Sequence, residues 1–258
     1  MYPLDLSKKV ALVFGVANGR SIAWSIANIL HKAGAQIILA YQNERVKKSV
    51  EKLISEWDNT FLIECDVSKE ENVIKTFDQV SKITDHVDIV IHSIAFANKD
   101  NLGGQFMKTS QEDFKTAMNI SAFSLISIAK NSSKLMTDHG GSILTLTFQA
   151  SNRVFPGYNI MGTAKAALEN EVRQLAYDLG ELNIRVNAIS AGPLDTLSSR
   201  VISHYHDMKN AASNKSPLKR NITHDEVAKT ALYLASDLSS GVTGEILHVD
   251  AGYNIMGI

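Results

Sequence analysis

Tyr158 and Lys165 are the two residues whose types and spacing point most directly to chemistry in this sequence. Seven residues make about two helical turns, so both side chains would project from one helix face. A lysine placed there could help the phenol donate a hydrogen bond to a reacting oxygen. Because a Tyr-x6-Lys pair also arises by chance, its meaning depends on the elements that position it.

A turn with two glycines, Gly15 and Gly19, is the second segment of interest. It follows a strand predicted at Lys9–Gly15 and leads into a helix that starts at Ser21. Glycine allows a tight turn, and a helix N-terminus offers free N–H groups and a positive dipole end to a pyrophosphate. A plain strand-to-helix turn is the alternative, since the spacing is not GxGxxG. Its place as the first such turn of the chain favours dinucleotide binding.

The second predicted strand ends at Gln42, where NAD-binding proteins usually carry an acidic residue for the ribose 2′-hydroxyl. The Gln42 amide could make the same contact without a charge. Arg45, Lys47 and Lys48 follow, and they could either hold a 2′-phosphate or form the solvated face of a helix. The sequence therefore predicts NADH as cofactor, with NADPH as the alternative.

Polar and small residues also end the third and fourth predicted strands. Asp66 could accept a hydrogen bond from adenine, or it could simply form an Asx turn. The small residues from Ser93 to Ala95 would let a cofactor lie close to the backbone. These segments would share one edge of a parallel sheet, where such folds bind ligands.

The elements that must position these residues alternate regularly between apolar strands and amphipathic helices. Strands without polar alternation are typical of a parallel sheet covered on both faces. We predict an α/β fold with a Rossmann-like, doubly wound, seven-stranded parallel sheet, in a single domain spanning residues 1–258. One long helix is predicted over Ser110–Met136, and another over Tyr158–Leu179.

The composition of the 258-residue sequence excludes several classes of protein. The net charge of −1 provides no basic field for nucleic acid, and no apolar run approaches the ~20 residues of a membrane span. The single cysteine, Cys65, excludes an internal disulfide framework and fits a reducing cytoplasm. The scattered histidines have no cysteine or carboxylate cluster beside them, so no metal site is predicted.

Taken together, the motifs identify a family resemblance that runs almost from end to end. The matching segments are GVANGRSIAW (15–24), HSIAFA (92–97), YNIMGTAKAALE (158–169), IRVNAISAGP (184–193) and SDLSSGVTGEILHVDAG (236–252). The chain resembles enoyl-acyl-carrier-protein reductases of the FabI type, a divergent branch of the short-chain dehydrogenases. The resemblance implies NAD(P)H-dependent reduction of the trans-2 double bond of enoyl thioesters in fatty acid elongation.

The resemblance also assigns roles to individual residues. It implies that Tyr158 and Lys165 are catalytic, with Lys165 also binding the nicotinamide ribose. The implied cofactor contacts are Gly15, Ala17, Ser21, Ile22, Gln42, Asp66, Val67, Ser93, Ile94, Ala95, Leu194 and Thr196. The implied substrate contacts are Phe96, Leu102, Phe148, Tyr158, Met161, Ile202, Tyr205 and Met208.

The resemblance further implies a mobile substrate-binding loop at about residues 197–214, with apolar positions at Ile202, Tyr205 and Met208. It implies acyl carrier protein thioesters as substrate, and a homotetramer built by the helices that begin near Ser110 and Tyr158.

Three positions depart from the family pattern. Gly19 replaces a residue that is commonly charged or polar, Asp195 replaces the usual arginine, and Phe148 stands where many members have a second tyrosine. Two rival functions therefore stay open. One is a related short-chain reductase acting on another enone or a ketone in secondary metabolism, and the other is a non-catalytic dinucleotide-binding regulator.

Overall fold

A single parallel sheet forms the centre of the molecule. The computed structural model describes residues 4–99, 102–137, 139–197, 199 and 205–257. Seven strands run in the order β3-β2-β1-β4-β5-β6-β7, which confirms the predicted doubly wound, Rossmann-like class. They are β1 Val10–Phe14, β2 Gln36–Tyr41, β3 Thr60–Glu64, β4 Ile89–His92, β5 Gly141–Thr147, β6 Ile184–Ala191 and β7 Ile246–Val249.

Helices cover both faces of the sheet. They are α1 Ile22–Lys32, α2 Glu44–Leu53, α3 Glu70–Ile83, α4 Gln111–Met118, α5 Ser124–Ser132, α6 Ile160–Leu179, α7 Tyr205–Lys215 and α8 His224–Ala235. Buried residues of α1 and α8 share one apolar cluster, and those of α3, α5 and α6 share the other. None of the helices in the described ranges is long and apolar enough to cross a bilayer.

Strand β1 shows why the sheet strands carry almost only apolar residues. All five of its residues are buried, and successive side chains point to opposite faces. Ala11 and Val13 join the cluster beneath α1 and α8, whereas Val10, Leu12 and Phe14 join the cluster beneath α3, α5 and α6. Because the side chains of β1 pack into apolar clusters on both faces of the sheet, polar residues cannot occupy every second position of the strand. This explains the continuous apolar runs in the sequence.

The strand order reverses direction beside β1, which pairs with β2 on one side and β4 on the other. Ala11 lies opposite Ile37 in β2 and opposite Ile89 in β4. Chains of this topology leave a crevice at the carboxyl edge where the order reverses. The predicted ligand-binding residues Gly15, Gln42 and Asp66 follow β1, β2 and β3 at this edge.

The helix predicted over Ser110–Met136 is largely confirmed, because residues 111–135 are helical throughout, but it is not one regular α-helix. A π-helical turn, Asn119–Phe123, separates α4 from α5. Within this turn, the Ser121 hydroxyl accepts a hydrogen bond from Phe96 N at 2.8 Å and donates one to Phe96 O at 2.9 Å. Wide turns of this kind are rare and often lie at functional sites. Here the turn is held by a neighbouring loop that the helical periodicity could not show.

Two further boundaries differ from the sequence-based expectation. Helix α6 begins at Ile160 rather than Tyr158, because Asn159 has a positive φ of 41° and so cannot continue a right-handed helix. The segment predicted as a loop at about residues 197–214 contains most of helix α7, which carries both Tyr205 and Met208.

Candidate active site

One cavity of about 710 Å³ opens along the carboxyl edge of the sheet. Its walls come from the segments that follow β1 to β6, together with α6 and α7. This volume lies within the range of pockets that enclose a cofactor or a drug-sized molecule. The cavity therefore supports the binding site that the sheet topology predicts at this edge.

Gly15 makes the first turn possible at the floor of this cavity. Its φ is +102°, a conformation that residues with a side chain rarely adopt. A Cβ atom at this position would lie 2.0 Å from the carbonyl oxygen of Ser93. The backbone after β1 therefore packs directly on the backbone after β4, and only glycine permits that approach.

Ser21 holds the same turn together from its far end. Its Oγ accepts hydrogen bonds from Ala17 N at 3.0 Å and from Asn18 N at 3.1 Å, just before α1 begins at Ile22. Gly19 is not demanded by the turn, since a Cβ there would meet only Leu53 at an ordinary 3.5 Å. Ser21 occupies the place of a third glycine and fixes the entry into α1.

The adenosine end of the predicted site is polar and open. Gln42 is exposed after β2 and borders the cavity. Asp66 Oδ1 accepts from Ser68 N at 3.1 Å and from Ser68 Oγ at 2.8 Å, which is an Asx turn. Asp66 and Val67 also line the cavity, so the turn and a ligand-binding role are compatible.

His92, at the end of β4, anchors the segment Ser93 to Ala95 that forms part of the cavity floor. Its Nδ1 lies 2.8 Å from Thr145 Oγ1, and its Nε2 lies 2.8 Å from Ser124 Oγ. Because Ser124 already donates to Ile120 O, the arrangement assigns the proton to Nε2. Burial, helped by the nearby Lys165 charge, lowers the pKa of His92 to about 3. His92 is therefore a neutral structural residue whose hydrogen bonds connect β4 to β5 and α5.

Tyr158 lies in the wall of the cavity, two residues before α6 begins. Its ring packs on Phe148 with the centroids 5.1 Å apart, and Phe148 packs in turn on Phe155 at 4.7 Å. Burial raises the pKa of Tyr158, so its phenol keeps its proton. The neighbouring Asn159 amide donates to Gly103 O and ties the loop after β4 to this wall.

Lys165 lies in the same wall and is almost fully buried, with 4% of its surface exposed. Its Nζ donates to Leu146 O at 2.6 Å, at the end of β5. Burial lowers the pKa of Lys165 to about 8, and the charge of Glu169 one helical turn later opposes that shift. Thr147 Oγ1 holds Glu169 in place at 2.8 Å from Oε1. Consecutive residues of β5 thus fix both charged side chains.

The segment after β6 brings Leu194 and Thr196 to the cavity. Asp195, between them, accepts from Lys209 Nζ at 2.5 Å, and this ion pair joins the segment to α7. Thr196 and Ser199 exchange hydrogen bonds through their backbone and hydroxyl groups. The residue that replaces the family's usual arginine has therefore gained a partner on α7.

The predicted acyl-binding residues surround the other end of the cavity. Phe96 is held through its backbone by Ser121, whose Oγ also lies 3.8 Å from Met161 Sδ. Of the substrate contacts named from the sequence, the structure brings these together along the cavity: Phe96, Leu102, Phe148, Tyr158, Met161, Tyr205 and Met208. Ile202 lies outside the described residues.

Every predicted cofactor contact also lines the cavity: Gly15, Ala17, Ser21, Ile22, Gln42, Asp66, Val67, Ser93, Ile94, Ala95, Lys165, Leu194 and Thr196. Sequence reasoning missed Leu197 and Ser199 in the wall, and the supporting roles of Ser121, Thr147 and Glu169. The one available signal was the presence of Ser121 and Ser124 in the otherwise apolar stretch 120–126.

Comparisons with known proteins identify one family. Residues 15–254 match the family model described as Enoyl-(Acyl carrier protein) reductase. A relative from Nostoc sp., named as an NADH-dependent FabI enoyl-acyl-carrier-protein reductase, is 47% identical over 99% of this chain and 100% of its own length. An NADPH-dependent FabI from Staphylococcus aureus is 46% identical over 97% of this chain and 98% of its own length.

A solved structure repeats the whole fold. The Bacillus cereus enoyl-acyl-carrier-protein reductase, crystallised with NADP+ and indole naphthyridinone, superposes with a TM-score of 0.96 at 46% identity and covers all of both chains. The sequence match and the superposition lead to one conclusion. The chain belongs to the enoyl-acyl-carrier-protein reductase family, in its FabI branch.

Proposed function

We propose that this chain reduces the trans-2 double bond of enoyl-acyl-carrier-protein thioesters with NADH, a step of fatty acid elongation. The observation that carries the proposal is the cavity that joins the Gly15 turn to the wall of Tyr158 and Lys165. A cofactor bound along the turn would reach the phenol and the ammonium. Membership of the FabI branch supports the same reaction.

The residues at the Gly15 turn fit a dinucleotide. The turn leaves no room for a side chain at Gly15, and α1 points its N-terminus at the cavity. Free N–H groups and the helix dipole favour a pyrophosphate there. When bound, the nicotinamide supplies the hydride that reduces the β-carbon of the substrate.

The chain's own residues then manage the charge that develops on the thioester oxygen. Tyr158 keeps its proton and can donate a hydrogen bond to that oxygen. Lys165, held at Leu146 O, contributes a positive charge nearby and can bind the ribose hydroxyls. The apolar side chains of Phe148 and Met161 exclude water from the acyl chain.

The decisive assay follows NADH absorbance after addition of crotonyl-CoA or an enoyl-acyl carrier protein. A fall that depends on the enoyl thioester supports the proposed reaction. Oxidation of NADH with other enones or ketones alone would favour the rival reductase. NADH binding without turnover of any of these compounds would favour the non-catalytic regulator.

We expect NADH to be preferred over NADPH by about tenfold in kcat/KM, equivalent to about 1.4 kcal/mol. Gln42 offers a neutral amide at the end of β2, and Lys47 is already shared between Glu44 at 3.8 Å and Glu51 at 3.9 Å. Of the basic residues that follow Gln42, Arg45 and Lys48 are exposed, and either could still reach a 2′-phosphate. Steady-state kinetics with both cofactors tests this. A clear NADPH advantage would contradict it, and Arg45→Ala would then show whether Arg45 is the cause.

We propose that α7 belongs to a mobile lid, as the resemblance implies. It covers the cavity with Tyr205 and Met208, and the ion pair Asp195–Lys209 ties it to the cofactor side. Amide exchange in α7 should slow about tenfold or more when NAD+ and an acyl ligand bind, because ligands stabilise the closed state. Asp195→Asn should speed exchange a few-fold in the free enzyme, as expected for a partly exposed ion pair. An amide exchange rate in α7 that does not change when the ligands bind would contradict the proposal of a lid.

We propose a homotetramer in which α4, α5 and α6 pack against their symmetry mates. Phe114 on α4 and Phe123 beside α5 are 42% and 43% exposed in the single chain, which leaves apolar surface for a partner to cover. Light scattering at micromolar concentration should give four times the 28.2 kDa of one chain. A monomeric mass would contradict the assembly.

A further inference from the structure

One hydroxyl in the cavity wall lacks a partner. Tyr205 opens α7, is 7% exposed, and lines the cavity. Its phenolic oxygen is buried and has no hydrogen-bond partner within the described part of the chain. Phenols in protein interiors normally find a partner, so an orphaned one calls for an explanation.

Ser199 is the neighbour that could have served, but its hydroxyl is already engaged. Its Oγ accepts from Thr196 N at 2.9 Å and donates to Thr196 O at 3.0 Å. Burial raises the pKa of Tyr205 to about 12, and the neighbouring hydroxyl group of Ser199 acts in the opposite direction. The phenol therefore has a proton to donate, and none of the described residues accepts it.

A bound ligand can supply the acceptor, and the surroundings limit what that acceptor is. The acyl end of the cavity also presents Phe148, Leu197 and Met208, which suit a hydrocarbon chain. A hydrocarbon accepts no hydrogen bond, so within the acyl substrate the acceptor is a carbonyl oxygen of the thioester or of the amide-containing arm that carries it. Phe148 has no donor, so it cannot make this contact itself.

We propose that Tyr205 donates a hydrogen bond to a carbonyl oxygen of the bound acyl thioester or of its carrier arm when α7 closes over the cavity. The inference rests on the proposed function and adds to it a second phenol besides Tyr158. It makes Tyr205 a polar substrate contact and not only an apolar part of the lid.

The test is Tyr205→Phe, which removes the hydroxyl and keeps the ring. We expect kcat/KM for crotonyl-CoA to fall about tenfold, as for the loss of one hydrogen bond in an enclosed site. The dissociation constant of NADH should not change. The midpoint of thermal unfolding of the free protein should stay the same or rise, because a buried unpaired donor has been removed.

Two substrates distinguish the sources of the carbonyl. S-ethyl crotonothioate contains the thioester carbonyl but none of the amides of the coenzyme A arm. An equal loss with both substrates assigns the contact to the thioester, and a loss confined to crotonyl-CoA assigns it to the arm. The matched control is Tyr233→Phe on α8, where the tyrosine is 38% exposed and lies outside the cavity lining. It should leave all these quantities unchanged.

Two results would overturn the inference while wild-type enzyme remains active. One is an unchanged kcat/KM of Tyr205→Phe with both substrates. The other is a lowered unfolding midpoint, which would mean that the hydroxyl has a partner in the free protein. If the wild-type chain reduced neither thioester, the proposed function itself would fail, and this outcome is separate from the other two.

Discussion

Replacing Lys165 by alanine should weaken cofactor binding and turnover together. Its buried ammonium is held at Leu146 O, at the end of the strand next to the predicted nicotinamide position. Hydrogen bonds from a charged donor contribute about 1.5–3 kcal/mol, so the dissociation constant of NADH should rise roughly 10–100-fold. Calorimetric titration with NADH measures this without any assumption about the substrate. An unchanged dissociation constant would remove Lys165 from the cofactor site.

The same residue should set an alkaline limit on cofactor binding. Burial lowers the pKa of Lys165 to about 8, so the ammonium is charged below that pH and neutral above it. Wild-type affinity for NADH should therefore fall as the pH rises through about 8. The affinity of the Lys165→Ala variant should not show this fall. Glu169→Gln is the matched variant, because it removes the opposing charge and keeps an acceptor for Thr147. In Glu169→Gln, the affinity for NADH should fall at a lower pH than in the wild type. A fall at the same pH would contradict the role of the Glu169 charge.

Replacing Tyr158 by phenylalanine should slow turnover and leave cofactor affinity unchanged. The ring would keep its packing on Phe148, but the thioester oxygen would lose its phenolic donor. Removal of one preorganised donor from an oxyanion site costs about 10²–10³ in kcat, which serves as an upper range because water can take its place. Steady-state kinetics with crotonyl-CoA gives the value.

The expected pattern separates the two wall residues. Tyr158→Phe should change kcat alone, whereas Lys165→Ala should change both kcat and the dissociation constant of NADH. Tyr233→Phe again serves as a surface control. A loss of less than threefold in Tyr158→Phe would mean that another group donates to the developing charge, and the phenol of Tyr205 would be the first to examine.

The sequence predicted the sheet well because its signals are local. Apolar runs such as Val10–Phe14 contain their own strand signal, and the turn at Gly15 follows from residue types alone. Gly15, Gln42 and Asp66 could be named because they follow strand ends, whereas most of the other site residues were implied by the family resemblance. All of the predicted site residues in the described part of the chain line one cavity. Their chemical roles remain predictions until variants are measured.

The features that the sequence did not reveal depend on distant partners. The π-helical turn exists because Ser121 bonds the backbone of Phe96, twenty-five residues earlier. The ion pair between Asp195 and Lys209 spans fourteen residues and crosses the predicted loop. The unpartnered hydroxyl of Tyr205 is a property of its surroundings and not of its residue type. No local periodicity contains these relationships.

The position of β1 in the middle of the sheet has a consequence for how the chain acquires activity. β1 pairs with β4 across a separation of almost eighty residues, as in Ala11 with Ile89. Pairings between distant segments form slowly, because loop-closure entropy is lost before contacts compensate for it. Gly15 and Ser93 meet only after that pairing, and Lys165 joins them only when β5 and α6 are in place. NADH should therefore bind only the fully folded chain, and in refolding experiments its binding should lag behind the first gain of helix.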